Sequence, residues 1–422
     1  MRRFTRSVYV VALLATLAPG LAAQKPLTWD EVKARFEANN PSLRAGAIGI
    51  DEARANEITA YLRPNPELNI SADGTQIAPY QGVWQPLAGT DQVIGASYLH
   101  ERGHKRELRL QSAKEQTDIT TSGQADLDRT MLFALRSAFV SALQAKAVLQ
   151  VVHENLTYWD KVLGISRDRR QVGDIAQVDL DRLELQRVQF ESDVQTAEVN
   201  LRTAKINLLT LLNDRTPIDQ FDVAGPFSFA EVLGPLDDYR NTAAENRPDL
   251  KAALQSLDKA KTDHQLAVAN GSWDPTLSAW YTHNGSFANV NAHDTLGVGV
   301  NIPLRVFDKN QGEKRRTQLD IDRNQKLLDA SRTQVFSDVD SAYAMVNSDL
   351  ILLRTYKGKY LDQSTSVRDT VRFSYEHGGA ALLDFLNAEN EYRSVQLAYV
   401  NLLGSYLVAA AQLNLAVGRE VL

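Results

Sequence analysis

Two long stretches of the chain carry apolar residues at alternating steps of four and three, which is the pattern of packed helices. The first seam begins at Ala176 and ends at Leu211, and only Arg187 interrupts it. The second begins at Ala381 and ends at Ala416 without an interruption. Heptad spacing sustained over this length predicts coiled-coil helices.

The first seam helix has a second apolar stripe, about 130° from the seam if each residue advances about 103°. Its members are Val178, Leu185, Ser192, Val199 and Ile206. Two stripes indicate packing partners on both sides, which favours a place in the wall of a closed cylinder over a two-stranded zipper. A large helical bundle remains the alternative. Glu184, Glu191 and Glu198 lie on another face, which we expect to be solvated.

Two stretches almost free of proline and glycine precede the seams. They run from about Arg106 to Arg170 and from about Glu313 to Glu376. At 1.5 Å per residue each predicts a helix about 95 Å long. Ordinary globular helices are far shorter, so this length is typical of a projecting tube.

Four segments between the helices alternate apolar and polar side chains with the period of two that indicates half-exposed strands. The clear ones are residues 66–73 and 295–302; the weaker ones are 93–99 and 275–281, the last interrupted by Trp280. Their lengths match those of tilted membrane strands. In the final segment we expect one face toward lipid, namely Leu296, Val298, Val300 and Ile302. The face expected toward the lumen holds Thr295, Gly297, Gly299 and Asn301.

Four strands cannot close a membrane barrel, because known barrels start at about eight strands and an open edge in lipid leaves backbone groups unpaired. A barrel built from these strands must therefore be shared between chains, with eight strands from two copies or twelve from three. A soluble hairpin sheet is the alternative. The connecting loops, Gly74 to Thr90 and Asn284 to His293, are longer than tight turns.

The two halves of the chain repeat one plan. The run from Asn40 to Ala45 has a counterpart from Arg247 to Ala252, each with proline in second place, and a Pro-x-Leu opens an alternating segment in each half. The spacing from Gly173 to Asp179 recurs from Gly378 to Asp384. We therefore predict internal repeats at residues 24–216 and 235–422.

The N-terminus has the order of a secretory signal: basic residues, a short apolar run and then small residues. These are Arg2, Arg3 and Arg6, the run from Val8 to Leu17, and Ala22 with Ala23. We predict a signal peptide at residues 1–23 and a mature chain that begins near Gln24. No later stretch reaches 18 uninterrupted apolar residues, which predicts no transmembrane helix.

Composition narrows the function classes. The net charge of -6 shows no basic excess of the kind that nucleic-acid binding requires, so we expect no nucleic-acid partner. The absence of cysteine excludes disulfides, thiolate nucleophiles, cysteine metal sites and the acylated cysteine by which some exported proteins are anchored.

Candidate chemistry is sparse. His100 and His104 are four residues apart and could share a helical face, but no third metal ligand is recognisable, so we interpret them as a solvated or interfacial pair. His283 and His293 flank a predicted loop. The motifs of nucleotide binding, zinc proteases and serine hydrolases do not occur. We expect no cofactor, no metal site and no enzymatic activity.

The signal sequence, the duplicated plan and the run Leu62-Arg63-Pro64-Asn65-Pro66-Glu67-Leu68 together resemble the TolC family of outer-membrane efflux proteins. The resemblance spans essentially the whole mature chain. It implies a mainly α chain with a membrane β-barrel, in which a homotrimer shares twelve strands, four per chain, above an α-helical barrel in the periplasm. The implied partners are outer-membrane lipid, a periplasmic adaptor and an inner-membrane pump.

Within the family, the Leu62 run looks most like the branch paired with heavy-metal cation pumps. Ducts that secrete polypeptides share the same architecture and are the alternative within the fold. A soluble periplasmic coiled-coil scaffold is the alternative from a different class.

The resemblance also implies that the two Gly-to-Asp segments are helical hairpin tips where the adaptor docks. The tip residues carried over are Val172, Gly173, Gly378 and Gly379. A glycine suits such a reversal because it tolerates a positive φ angle.

Asp179 and Asp384 follow the tips, one in each half. They could form charged rings at the periplasmic mouth of the channel. Alternatively, each carboxylate stabilises the start of its seam helix through the helix dipole.

Overall fold

The computed structural model of the chain describes residues 25–284 and 293–422. The predicted signal peptide and its cleavage site lie outside these residues, as does most of the loop between Asn284 and His293. The described residues form long helices and one four-stranded sheet.

Each half of the chain follows the same element order. The first half contains α1 (Trp29–Asn39), α2 (Pro41–Tyr61), β1 (Glu67–Asp73), β2 (Asp91–Leu99), α3 (Lys105–Gln171) and α4 (Gln177–Leu211). The second half contains α5 (Leu236–Asn246), α6 (Pro248–Asn270), β3 (Thr276–Asn284), β4 (Asp294–Asn301), α7 (Gln311–Thr355), α8 (Leu361–Glu376) and α9 (Leu382–Val417). The long helix is thus one element in the first half and two in the second.

A π-helical turn, Tyr356–Tyr360, joins α7 to α8, and the helix runs without a gap from Gln311 to Glu376. The long helix predicted from about Glu313 to Glu376 is therefore confirmed, although the sequence did not predict its π-turn. At this turn, Lys357 Nζ lies 3.1 Å from Glu231 Oε1 in an exposed ion pair. π-turns are rare and cannot be inferred from heptad spacing, since they shift its phase by one residue.

The duplicated Asn40 and Arg247 positions have the same structural role. Both residues are buried, and both precede the proline that opens a helix, α2 or α6. Asn40 Nδ2 donates to the carbonyl of Leu211 at 3.2 Å, and Arg247 Nη1 donates to the carbonyl of Ala416 at 3.3 Å. Each side chain therefore satisfies a carbonyl at the end of a seam helix, where intrahelical partners run out.

The core follows the predicted seams. Phe190 on α4 and Phe385 on α9 are buried, and both stack on Trp159 of α3 at 5.0 and 6.0 Å between ring centroids. The indole Nε1 of Trp159 donates to the carbonyl of Leu183 at 3.0 Å, so the polar atom of this buried ring is satisfied. A second cluster packs α1 against the middle of α3 around Phe36.

The four strands form one antiparallel sheet in the order β1-β2-β3-β4. One face is apolar and more exposed, with Leu296 and Val298 about 86% and 85% accessible. The other face is mainly polar and less exposed, as expected for the concave side of a curved sheet. The alternation predicted for residues 295–301 is confirmed, since successive side chains lie on opposite faces.

Trp280, which interrupts the pattern of β3, lies on the polar face. It stands directly opposite Gly95 on β2 and Gly297 on β4. A Cβ atom built at Gly297 would lie 2.3 Å from Trp280 Cε2, and one at Gly299 would lie 3.0 Å from Trp280 Cζ3. The glycines therefore leave room for the indole ring of Trp280 on the polar face of the sheet.

Two helices, α3 and α9, each contain a window long and apolar enough to cross a membrane by length and composition alone. Neither helix contains 18 uninterrupted apolar residues, so the criterion applied to the sequence predicted no transmembrane helix there. Both helices pack against other helices through their seams, and half of the window in α9 is buried in this way.

Candidate functional site

The first hairpin tip connects α3 to α4. Gly173 has a φ of +81°, and the amide of Asp174 donates to the carbonyl of Arg169 at 2.8 Å. The guanidinium of Arg169 in turn contacts the carboxylate of Asp174 at 2.6 Å. Val172 is 82% exposed at the outermost point of the turn.

The second tip connects α8 to α9 with the same geometry. Gly378 has a φ of +75°, and the amide of Gly379 donates to the carbonyl of Ser374 at 2.7 Å. Positive φ is thus confirmed at Gly173 and Gly378. Gly379 does not have a positive φ; its small size leaves room for Ser374, whose Oγ would lie 2.8 Å from an added Cβ.

The two tips are joined by packed aromatic rings. Tyr375, just before the second tip, stacks on Phe385 at 4.9 Å, and the guanidinium of Arg169 from the first tip lies 5.5 Å from the Tyr375 ring centroid. Burial raises the pKa of Tyr375. The chain therefore presents both turns together on one end of the helical bundle.

Asp179 and Asp384 lie in the first turns of α4 and α9. The carboxylate of Asp384 accepts from the amide of Ala381 at 3.3 Å, which is the helix-start role. Asp179 is half-buried, and its charge adds to the effect of burial in raising the pKa of Tyr375. The charged rings remain a prediction, because they depend on neighbouring copies of the chain.

A polar network near the tips was not predicted from the sequence. Glu389 on α9 is only 7% exposed, and the hydroxyl of Tyr158 on α3 donates to its Oε1 at 2.9 Å. Burial raises the pKa of Glu389, although Arg368 and Arg372 on α8 oppose this rise. Burial also raises the pKa of Tyr158, and the charge of Glu389 adds to that shift. The network joins α3, α8 and α9.

The repeat gives no signal for this network, because the residue at the corresponding position of the first half is exposed. Glu184 is the counterpart of Glu389, and it is exposed and bonded to Arg167 at 2.9 Å. Glu191 likewise pairs with Arg187, so the solvated face predicted for α4 is confirmed for these two residues. Glu389 differs from Glu184 in its surroundings, since it accepts from Tyr158 of α3 and lies near Arg368 and Arg372 of α8.

His100 and His104 are both exposed at the strand-to-helix junction, as expected for a solvated pair, and they do not share a helical face. α3 begins at Lys105, so His100 lies in the extended junction before the helix, and His104 adopts a left-handed conformation at its start. Across residues 25–284 and 293–422, no group of three histidine or acidic side chains could hold a metal ion. His283 Nδ1 lies 2.8 Å from Asp294 Oδ1 at one end of the sheet.

The chain combines an open sheet of four strands, seven to nine residues long, with helices of up to 67 residues, and it shares this fold with solved outer-membrane channels. A solved structure of CusC, described as forming a transmembrane channel, has a TM-score of 0.79 with 17% identity, covering 94% of this chain and 96% of that one. The family model described as "Outer membrane efflux protein" matches residues 240–419. The matched residues lie in the second half of the chain.

Two curated relatives match over nearly the whole chain. The "Cobalt-zinc-cadmium resistance protein CzcC" of Cupriavidus metallidurans is 22% identical over 406 residues, covering 94% of this chain and 91% of the relative. The "Outer membrane efflux protein BepC" of Brucella suis is 24% identical over 422 residues, covering 97% of this chain and 89% of the relative.

Proposed function

We propose that this protein is the outer-membrane channel of a tripartite efflux system. Three copies form a passive duct that receives substrate from an inner-membrane pump through a periplasmic adaptor. The chain supplies no energy source of its own, and transport is driven by the pump.

The open sheet is the observation that carries this proposal. β1 and β4 are its edges, and each has one neighbour among the described strands. Because four antiparallel strands alternate in direction, β4 of one copy can pair with β1 of the next and keep the ladder antiparallel throughout. Closure between copies satisfies the edge backbone groups, which lipid cannot do.

Exposed apolar stripes on the helices support the same assembly. The second stripe of α4 has no cover within one chain, and its members Val178, Leu185, Val199 and Ile206 are all exposed. On α7, Leu319, Leu327 and Met345 are also exposed. Such stripes suit helices that contact neighbouring copies in the wall of a cylinder.

Heavy-metal cations are the substrate class that we favour. The relative from Cupriavidus metallidurans is named for resistance to cobalt, zinc and cadmium, and it matches this chain over nearly its whole length. The run from Leu62 to Leu68 also resembles the branch of the family that is paired with heavy-metal cation pumps. A duct for secreted polypeptides is the alternative, since the same architecture would carry them.

Deletion of the gene, followed by growth on graded metal salts, tests this assignment. We expect greater sensitivity to cobalt, zinc or cadmium, restored by the wild-type gene, with unchanged sensitivity to hydrophobic drugs. Loss of a secreted polypeptide with normal metal tolerance would favour the secretion duct. Release of the protein from membranes by carbonate would refute the membrane channel itself.

A further inference from the structure

The connection between β4 and α7 projects large apolar side chains into open space. Leu304 is 83% exposed, Phe307 is 93% exposed, and Val306 between them is also exposed. No other described part of the chain covers them. A phenyl ring this accessible is unfavourable in water, because its apolar surface stays hydrated instead of being buried.

The first half of the chain shows that this exposure is not required by the local fold. The corresponding connections both end on a residue in the left-handed conformation just before the long helix, His104 or Asn310. Three residues before each stand Glu101 and Phe307. Glu101 accepts from Arg109 Nη2 at 2.9 Å and is largely covered. Where the first half closes the junction with an ion pair, the second half exposes an aromatic ring.

The exposed connection continues directly from the apolar outer face of β4. Leu296, Val298 and Val300 lie on that face, and Ile302 follows them at the end of the strand. α7 then leads away from the sheet, along the helical body that ends at the tips. The connection therefore lies at the periplasmic end of the surface that we assign to lipid.

Cations surround this apolar connection. Residues 305–316 contain the basic residues Arg305, Lys309, Lys314, Arg315 and Arg316, against the acidic residues Asp308 and Glu313. Lys309 and Arg315 are exposed and have no salt bridge to any described residue. An aromatic ring beside unpaired cations matches the boundary of a bilayer, where rings enter the hydrocarbon and cations meet phosphates.

We propose that residues 302–315 form an interfacial anchor in the periplasmic leaflet of the outer membrane. Leu304, Val306 and Phe307 enter the hydrocarbon, while Lys309 and Arg315 bind the phosphates of anionic phospholipids. This inference rests on the proposed function, because it needs the sheet to lie in a membrane. It adds a lipid-binding site on one side of each protomer.

Spin labelling tests the depth of the anchor, and the absence of cysteine from the chain makes single labels straightforward. The full-length protein carrying Phe307→Cys is labelled and reconstituted in phosphatidylcholine bilayers that contain phosphatidylglycerol. We expect the label to be more accessible to oxygen than to a water-soluble nickel chelate. Val298→Cys is the control for lipid, and Val172→Cys, at the exposed tip, is the control for water.

The other outcomes overturn the anchor. Nickel accessibility at position 307 equal to that at position 172 would place the ring in water, and shielding from both reagents would place a neighbouring chain over it. The control at position 298 separates this failure from failure of the proposed function. If that position is oxygen-accessible while 307 is not, the barrel stands and the anchor does not.

The cations are tested by native mass spectrometry of the assembled protein with bound lipid. We expect the double variant Lys309→Ala with Arg315→Ala to lose most of the phosphatidylglycerol that the wild type retains. Lys161→Ala with Arg182→Ala removes the same charge from exposed positions near the tips and is the control. Equal retention by both double variants would refute the phosphate contacts.

Discussion

At the scale of single residues, substitution of the tip glycines tests the role of the tips most directly. Gly173 and Gly378 have positive φ angles, and an added Cβ would meet no atom within 4 Å at either. A substitution there changes backbone preference without a steric clash inside the chain. For an L-residue the left-handed conformation costs about 1 to 2 kcal/mol, and β-branching makes it less favourable still.

We therefore expect Gly173→Val and Gly378→Val to abolish efflux while trimers remain in the membrane. The tips project away from the core, so assembly should be unaffected, whereas the turn that we propose as the adaptor contact would be reshaped. Efflux assays beside trimer yield on native gels check this. Gly164→Val in α3 is the matched control, because Gly164 also faces open space but has no positive φ. Loss of trimers in the tip variants alone would contradict the prediction.

Glu389 should make stability depend on pH. Burial raises its pKa in the folded chain, so its favourable contribution is complete below the pKa of the unfolded state. That contribution is lost as the pH rises through the raised pKa of the folded state. Glu389→Gln keeps an uncharged side chain of similar shape at every pH.

We expect the melting temperature of Glu389→Gln to fall less than that of the wild type as the pH is raised from mildly acidic to neutral. Calorimetry of the detergent-solubilised protein measures this. Glu184→Gln is the control, since Glu184 is the exposed counterpart in the repeat. Parallel pH profiles for wild type and Glu389→Gln would show that the network does not titrate.

The role of the two aspartates after the tips can be tested by measuring the passage of ions. If Asp179 and Asp384 line the mouth, the double Asn variant should lower the preference for cations in single-channel recordings, because neutral rings attract them less. Unchanged selectivity and unchanged closed-state leak would leave both residues as helix-start groups. The bond from the amide of Ala381 to Asp384 already supports that role for one of them.

At the scale of elements, the strand faces can be tested by charge. Val298 lies on the exposed apolar face, in the cross-strand row that begins at Leu68. Asn69 lies on the opposite face in the adjacent row, which ends at Gly297. Val298→Lys should destabilise the assembled barrel by about 2 to 4 kcal/mol if the residue is near the bilayer midplane. Asn69→Lys should assemble nearly as well as the wild type. Urea unfolding in lipid vesicles compares the two, and equal stabilities would refute the assignment of faces.

Gly297, the polar-face neighbour of Val298, is not a suitable control for that experiment. A side chain there would collide with the indole of Trp280. The alternation of the sequence assigned Gly297 to the correct face but could not show that the ring already occupied the space. Cross-strand contacts between β3 and β4 depend on register, and register is set by the whole sheet.

Among the helices too, the sequence predicted the features that follow from local periodicity and missed those that do not. The seams on α4 and α9 could be predicted because burial repeats with the helical period, and Phe190 and Phe385 are buried as expected. The π-turn at Tyr356–Tyr360 and the burial of Glu389 could not be predicted in this way. The heptad spacing carries no mark of the π-turn, and the burial of Glu389 depends on packing against Tyr158 of α3, which is distant in sequence.

At the scale of the whole molecule, the central question is whether the sheet closes between copies and with how many. In a closed ring every β1 edge meets a β4 edge of the next copy, so each protomer forms two identical contacts. A ring of three contains three such seams and no free edge. An open assembly would leave free edges and continue to grow.

Cysteine pairs across the seam can distinguish these assemblies. With Ile70→Cys on β1 fixed, a second cysteine is placed in turn at Leu296, Val298 or Val300 on β4, all on the same exposed face. The correct pair in the seam should crosslink under mild oxidation, because cysteines in register across neighbouring strands come within bonding distance. We expect denaturing gels to show monomer, dimer and trimer bands and no larger species, since the third link closes the ring. Each single-cysteine variant should stay monomeric. A ladder that extends past three copies would indicate an open array, and a limit at two copies would indicate an eight-stranded barrel that these long helices surround as a pair.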